Sequence, residues 1–287
     1  MNAPLDRRRF VQQTSGLLLG GTALAGLTAR ADDPDKTIRK AVGWGMIRAD
    51  LSVEDKLRMV KDVGFAGVEV PAVQPDRPSF DPKELARASE KVGVAVHGVT
   101  MAGHPDLTAV IDQAAMYGAT SVLYVVRADA NAPFMEHYRQ TQDVIRAGVP
   151  HAEKKQIPIL IENVWASFLI EPLTMARYID EFDSPYVAAY FDVGNVMRWG
   201  WPQHWIEVLG ERVRKIHIKE YSLKIAMNEG MRKGFDVPIG EGDIDWARVR
   251  EELKKIDFND WATAEVRGGD RQRLAEISAE MDRVLAL

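Results

Sequence analysis

The chain has 287 residues, 46% hydrophobic and 28% charged, with 42 Asp or Glu against 37 Lys or Arg, a formal net charge of −5 and no cysteine. These are the proportions of a folded globular protein, and the missing cysteine excludes disulfides, a thiolate nucleophile, Cys-ligated zinc or iron–sulfur centres and a lipoprotein anchor. The acidic balance argues against a nucleic-acid partner, whose binding groove is usually basic, and no apolar run reaches the roughly 18 residues of a membrane span.

Residues 1–31 read as an export signal. Arg7-Arg8-Arg9-Phe10 is a charged start, Gly16 to Leu27 is a short apolar stretch, and Ala29-Arg30-Ala31 is a small-residue cleavage pattern. The register from Asp6 to Gln12 resembles a twin-arginine signal. That resemblance implies transport to the periplasm, or beyond, of an already folded protein with its cofactor loaded. Such loading suits a chain that needs one particular divalent metal, because affinity order alone favours copper or zinc over manganese. Cleavage after Ala31 removes four Arg and one Asp, which leaves residues 32–287 with a net charge of −8 and no stable membrane insertion. An uncleaved tail is the alternative.

The rest of the sequence alternates strand and helix eight times. Strand 1 spans Lys40–Gly45 and its helix Ser52–Val63, with Ser52 as N-cap, Asp55 three residues later and Gly64 as the stop. Strand 2 (Gly67–Val70) precedes a helix over Pro82–Val92. Strand 3 (Val94–Val99) precedes Leu107–Tyr117, which Gly118 ends. Strand 4 (Ser121–Val126) is followed by a long helix around Pro133–Lys155, and strand 5 (Ile157–Ile161) by Pro172–Phe182. Strand 6 (Val187–Phe191) leads to Pro202–Leu209. Strand 7 (Val213–Ile218) leads through a long loop to Trp246–Ile256, and strand 8 (Trp261–Val266) to Arg271–Leu285. The strands are short, apolar and β-branched, as in a parallel sheet covered on both faces. No Pro-, Gly- or Ser-rich linker divides the chain, so residues 32–287 are expected to form one (β/α)8 TIM barrel. An open doubly wound sheet would need a Gly-rich turn after strand 1, and Val42-Gly43-Trp44-Gly45-Met46 does not supply G-x-G-x-x-G.

Barrel chemistry sits at the C-terminal ends of the strands. Four consecutive strands end in metal-ligand types: Glu162 and Asn163 after strand 5, Asp192 after strand 6, His217 in strand 7 and Glu265 in strand 8. Each is weak evidence alone, since a Glu after a strand is commonly solvated and His217 could be a satisfied core histidine. Together, three carboxylates and one imidazole converging on one point would hold Mn, Mg, Co or Zn through hard ligands.

Four stretches then carry a resemblance: Ile161-Glu162-Asn163, Phe191-Asp192-Val193-Gly194-Asn195, His217-Ile218-Lys219-Glu220 and Ile239-Gly240-Glu241-Gly242-Asp243-Ile244-Asp245-Trp246. The chain resembles the xylose-isomerase-like sugar-phosphate isomerase/epimerase superfamily of metal-dependent barrels. The resemblance implies that Glu162, Asp192, His217 and Glu265 ligate one divalent metal, and that Glu162 and Glu265 face opposite sides of a bound sugar and move protons. Removing a proton next to a carbonyl builds an enediolate, whose charge a divalent cation stabilises, while a carboxylate on each side exchanges the proton. Many sugar epimerases of this superfamily carry His where this chain has Asn195, so the contact there differs. Asn195 either hydrogen-bonds the substrate or caps the following helix.

Further substrate-contact candidates are Lys219, Arg267, His97, Glu69, Trp44 and Trp165. Lys219 lies beside the metal ligands or is tied in a salt bridge to Glu241 or Glu220. Glu69 supports the ligand shell or touches substrate. His97 can reach the pocket, whereas His104 reads as a loop residue. Trp44, Trp165, Trp199 and Trp201 follow strand ends, where flat faces suit sugar C–H surfaces or rim packing.

With no Walker loop, no obvious phosphate clamp and an acidic mature chain, the expected substrate is an unphosphorylated sugar or keto-sugar. Isomerase or epimerase is the leading reading. A lyase that performs β-elimination on a 3-keto-glycoside or inositol-like ketone is the main rival, and a non-catalytic sugar-binding barrel is a remote one. Apurinic endonucleases share the fold, but only two or three of the six His could reach a barrel mouth, too few for a three-zinc site. A homo-oligomer stays open.

Overall fold

Strands β1 (Arg39–Gly43), β2 (Gly67–Pro71), β3 (Ala95–Thr100), β4 (Val122–Tyr124), β5 (Ile159–Glu162), β6 (Val187–Asp192), β7 (Val213–Ile218) and β8 (Trp261–Ala264) pair in sequence order, all parallel. β1 also pairs with β8, which closes the barrel. The computed structural model describes residues 38–74, 80–101, 103–127 and 129–287. The export-signal reading of residues 1–31 lies outside them.

Local chemistry fixes the helix starts. Ser52 Oγ accepts from Asp55 N at the head of α1 (Val53–Asp62). Asp81 caps α2 (Pro82–Val92), which has Pro at its first position and the left-handed Gly93 at its end. Asp106 and Gly118 do the same for α3 (Leu107–Tyr117). Helices α4 (Phe134–Lys155), α5 (Pro172–Asp180) and α6 (Pro202–Leu209) follow β4, β5 and β6.

Beyond shifts of one or two residues at other element ends, the structure departs from the sequence reading in three places. β1 stops at Gly43, and Trp44–Met46 forms a 3-10 turn. β4 covers only Val122–Tyr124. The long loop after β7 holds a seven-residue helix, α7 (Leu223–Glu229), and a 3-10 turn (Met231–Phe235) before α8 (Trp246–Lys255) and α9 (Arg271–Leu285). Seven residues are too few to display helical periodicity, and Ser222 Oγ nucleates α7 by accepting from Ile225 N.

Most of the core lies between sheet and helices, but the barrel lumen is divided. One side is apolar, built from Leu123, Leu160, Ala188 and Tyr190. The other is polar. Along β7, Lys215 and His217 are both buried; Lys215 meets His97 of β3, His217 meets Glu69 of β2, and His97 in turn meets Thr263 of β8. Pairing irregularities occur at Val68/Glu69 against β3 and at Ala189/Tyr190 against β7. Such bulges re-aim side chains. The first sets Glu69 opposite Gly98, where an added Cβ would stand 3.0 Å from Glu69 Oε1. The second brings Asp192 into register with His217.

Candidate active site

Glu162 ends β5, Asp192 ends β6, His217 stands near the end of β7 and Glu265 directly follows β8. Each contributes one ligand atom to a group in which all four lie within 4.8 Å of one another. Around His217 Nδ1, Glu265 Oε2 is at 2.9 Å, Glu162 Oε1 at 3.0 Å and Asp192 Oδ2 at 3.8 Å. One N–H cannot serve three carboxylates. Lys219 Nζ adds a second positive charge, 2.9 Å from both Asp192 Oδ2 and Glu265 Oε2. Asp192 Oδ2 still accepts no aligned hydrogen bond although it is fully buried. Three carboxylates crowded on one nitrogen and one ammonium, with a poorly satisfied oxygen among them, fit the donor set of a divalent cation.

The electrostatics follow from that crowding. Burial opposes a charge on His217, but the carboxylates of Glu265, Glu69 and Glu162 overcome it and hold its pKa well above the usual value. Burial raises Glu162 and Asp192, against the pull of His217 on the first and Lys219 on the second. For Glu265, burial is outweighed by His217 and Lys219, which hold it below the usual carboxylate range. Burial also works against the charge on Lys219, yet Asp192, Glu265 and Glu162 keep it firmly protonated.

A second layer orients these groups. Glu69 Oε2 lies 2.8 Å from His217 Nε2. An ionised carboxylate can only accept, so Nε2 carries a proton on the Glu69 side, and Nδ1 faces the Glu162, Asp192 and Glu265 carboxylates. Asn163 clasps the end of β6: its Nδ2 donates to Asp192 O and its Oδ1 accepts from Asp192 N, both at 2.8 Å. Asn195 N donates to Asp192 Oδ1 at 2.7 Å, Asn195 Nδ2 to Asn163 O, and Lys219 Nζ to Asn195 Oδ1. Both ends of the Asn195 amide are therefore occupied. Asn195 is the first residue of a 3-10 turn (Asn195–Arg198) that has no side-chain cap, and the following helix α6 has none either.

The remaining candidates separate by depth. Trp44 lines a mouth cavity of about 810 Å³ together with Glu69, Glu162, His217 and Glu265. Trp165, Asn195, Lys219 and Arg267 line an adjoining one of about 550 Å³, which also reaches Glu162 and Glu265. Trp165 Nε1 donates to Asn195 O.

His97 lies elsewhere than expected. It is 2% exposed and lines neither cavity. Its ring stacks on Trp261 at 4.6 Å, and Nε2 lies 2.9 Å from Thr263 Oγ1, which Tyr190 OH also contacts. Lys215 Nζ donates to His97 O. Burial lowers the Lys215 pKa to about 8, and burial together with the Lys215 charge keeps His97 neutral. His97 thus belongs to the barrel floor, whereas His104 lines the wider cavity. Trp199 and Trp201 are exposed and stand outside both cavities.

Lys219 pairs with Asp192 and Glu265 instead of Glu241 or Glu220. Glu220 is itself a buried hub. Its carboxylate accepts from Tyr221 N, Gly240 N, Ile244 N and Trp246 Nε1. The Ile239–Trp246 stretch therefore folds around Glu220, and a Cβ at Gly242 would stand 2.5 Å from Glu220 Oε1. Arg127 and Arg232, which line the smaller cavity, were not singled out from sequence because they sit in loops far apart in the chain.

The family model described as xylose isomerase-like TIM barrel matches residues 57–286. The chain belongs to this family. Among curated proteins it is 22% identical over 235 residues to SgbU of Escherichia coli K12, provisionally named an L-ribulose-5-phosphate 3-epimerase. That match covers 73% of this chain and 82% of SgbU. Among solved structures, IolI with a bound zinc atom superposes with a TM-score of 0.71 at 13% identity, covering 87% of this chain and 98% of IolI. The 3-keto-D-glucoside 4-epimerase YcjR of E. coli gives a TM-score of 0.68 at 14% identity, covering 88% of this chain and all of YcjR. At such identities these two structures speak for the fold.

Proposed function

We propose that this barrel is a divalent-metal-dependent sugar isomerase or epimerase that moves a proton on a carbon next to a carbonyl. The observation that carries the reading is the cluster of Glu162, Asp192, His217 and Glu265, in which two of the carboxylates also line the mouth cavities. The family's curated relative named for epimerisation supports it.

Glu162, Asp192, His217 and Glu265 would hold one ion, Mn, Mg, Co or Zn. When bound, the ion supplies stabilisation for the negative charge that builds on the carbonyl oxygen. Glu162 and Glu265 are the proton-transfer pair. Glu162, 7% exposed and hydrogen-bonded to His217, has one fixed orientation. The half-exposed Glu265 is held by His217 and Lys219 from one side and opens to the cavities on the other. One carboxylate removes the proton and the other returns it on the opposite face. Lys219 keeps a positive charge beside Asp192 and Glu265, and Glu69 holds the His217 ring. Trp44 and Trp165 offer flat walls to sugar C–H surfaces.

A lyase would use the same base and then lose a glycosidic oxygen. Product analysis separates the two. Metal-loaded protein is incubated with free ketoses and with 3-keto-glycosides. The proposed reading predicts epimers or aldose–ketose pairs with the glycosidic bond intact, and release of the aglycone would replace it by the lyase.

A further inference from the structure

Glu69 meets His217 Nε2 through one oxygen, Oε2. Its other oxygen, Oε1, is buried and has no hydrogen-bond partner. Ser121 Oγ, just before β4 and 0% exposed, is in the same position. Buried polar atoms are nearly always paired, so two unpaired ones side by side point to a partner outside the chain.

The two atoms meet over one glycine. Gly98 stands opposite Glu69 at the β2–β3 irregularity, and a Cβ built on it would lie 3.0 Å from Glu69 Oε1, 3.5 Å from Ser121 Oγ and 3.6 Å from Lys215 Nζ. A carboxylate oxygen, a hydroxyl and an ammonium thus surround one point in the barrel floor.

The ammonium is pinned short of the carboxylate. Lys215 Nζ lies 3.2 Å from His97 Nδ1 and donates to His97 O, while His97 Nε2 is tied to Thr263 Oγ1. Two of the three N–H groups of Lys215 are used in this way, and one is left. Glu69 makes its ion pair with His217, not with Lys215. Lys215 is 1% and Glu69 4% exposed, so two opposite charges are deeply buried without direct contact. Buried charges need further hydrogen bonds to offset their desolvation. One small molecule with both lone pairs and hydrogens joins them. It accepts from Lys215 Nζ, donates to Glu69 Oε1 and pairs with Ser121 Oγ in either direction. Three polar partners suit a buried water. A cation in this place would be repelled by the ammonium, and an anion by the carboxylate.

We propose that the barrel floor binds one water molecule between Glu69 Oε1, Ser121 Oγ and Lys215 Nζ, and that Lys215 acts through it as a positioning residue for Glu69 and hence for the His217 ring. Gly98 leaves the room, since a Cβ there would occupy the meeting point. The chain then carries an ammonium two residues to each side of His217. Lys219 acts on Asp192 and Glu265 directly, and Lys215 acts on Glu69 through water. Only the effect on metal binding rests on the proposed function; the water site does not.

Two measurements test this. The first is a high-resolution crystal structure of the metal-stripped protein and of Gly98→Ala. The expected result is a solvent peak within about 3.2 Å of all three atoms in wild type, lost in the variant. No such peak in wild type, or a direct Lys215–Glu69 contact, overturns the water site. The second is a double-mutant cycle read by calorimetric titration of Mn²⁺. Lys215→Met should weaken binding by about fivefold, less than the roughly tenfold of Glu69→Gln. Once Glu69 is Gln, the same substitution should cost less than about twofold, because residues that act through one another are not additive. Losses that multiply in the double variant are those of a merely structural lysine, and they overturn the positioning role. Ser121→Ala takes the place of Lys215→Met in the cycle if the latter does not fold. If wild type binds no Mn²⁺, the proposed function fails and the positioning role with it, while the solvent peak still decides the water site.

Discussion

Glu69 and His217, 148 residues apart in the chain, are joined by a 2.8 Å hydrogen bond between Oε2 and Nε2. The bond fixes which imidazole nitrogen faces the ligand cluster, and both residues are buried, so water does not substitute for it. Loss of such outer partners weakens metal binding by about 10–100-fold. Glu69→Gln is therefore expected to weaken Mn²⁺ or Zn²⁺ binding by about tenfold in calorimetric titration, with the metal-free fold retained. Unchanged affinity would remove Glu69 from the account.

Lys219 supplies a positive charge to the carboxylates of the proposed metal site. Its ammonium lies 2.9 Å from both Asp192 Oδ2 and Glu265 Oε2. Lys219→Met leaves three carboxylates with less compensation, so the chelated protein should melt at a lower temperature. The added metal should then raise the melting temperature by more than it does in wild type, because it relieves more repulsion. A smaller metal-induced rise in the variant would mean that Lys219 helps to bind the ion.

Asn163 serves both backbone groups of Asp192 from a buried position. Asn163→Ala strands a buried N–H and a buried C=O, at a cost of about 2 kcal/mol and a fall in melting temperature of roughly 5 °C. Thermal denaturation measures it. A change within 1 °C or so would show that water replaces the clasp.

Glu220 accepts four hydrogen bonds through two oxygens. A Gln amide can accept at only one end and turns two donors toward donors at the other. Glu220→Gln should loosen the Ile239–Trp246 stretch, seen as faster amide hydrogen exchange at Gly240 and Ile244, while exchange in β5 and β6 stays as in wild type.

Much of this site was legible in the chain. Glu162, Asp192, His217 and Glu265 each close an apolar strand, and a barrel places successive strand ends side by side. That local signal sufficed to place these four side chains together, just as the β–α count sufficed for the barrel. What depends on sheet irregularity was not legible. His97 is skipped where Val68 and Glu69 pair with Val96 and Gly98, and it ends in the barrel floor while His104 reaches the cavity. What depends on loop folding was hidden too. Glu220 works through backbone N–H groups some 20 residues on, and Arg127, Arg232 and Arg267 come to line one cavity only after three loops have folded.

The central claim is that Glu162 and Glu265 exchange a carbon-bound proton beside a divalent ion. The most direct test is NMR detection of deuterium washed from D₂O into a panel of ketoses, sugar acids and keto-glycosides, using metal-loaded protein, metal-stripped protein and the Glu162→Gln and Glu265→Gln variants. The account predicts incorporation next to the carbonyl that requires metal and falls by at least 100-fold in each variant. Incorporation that persists in both variants, or that is as fast after chelation, would contradict it.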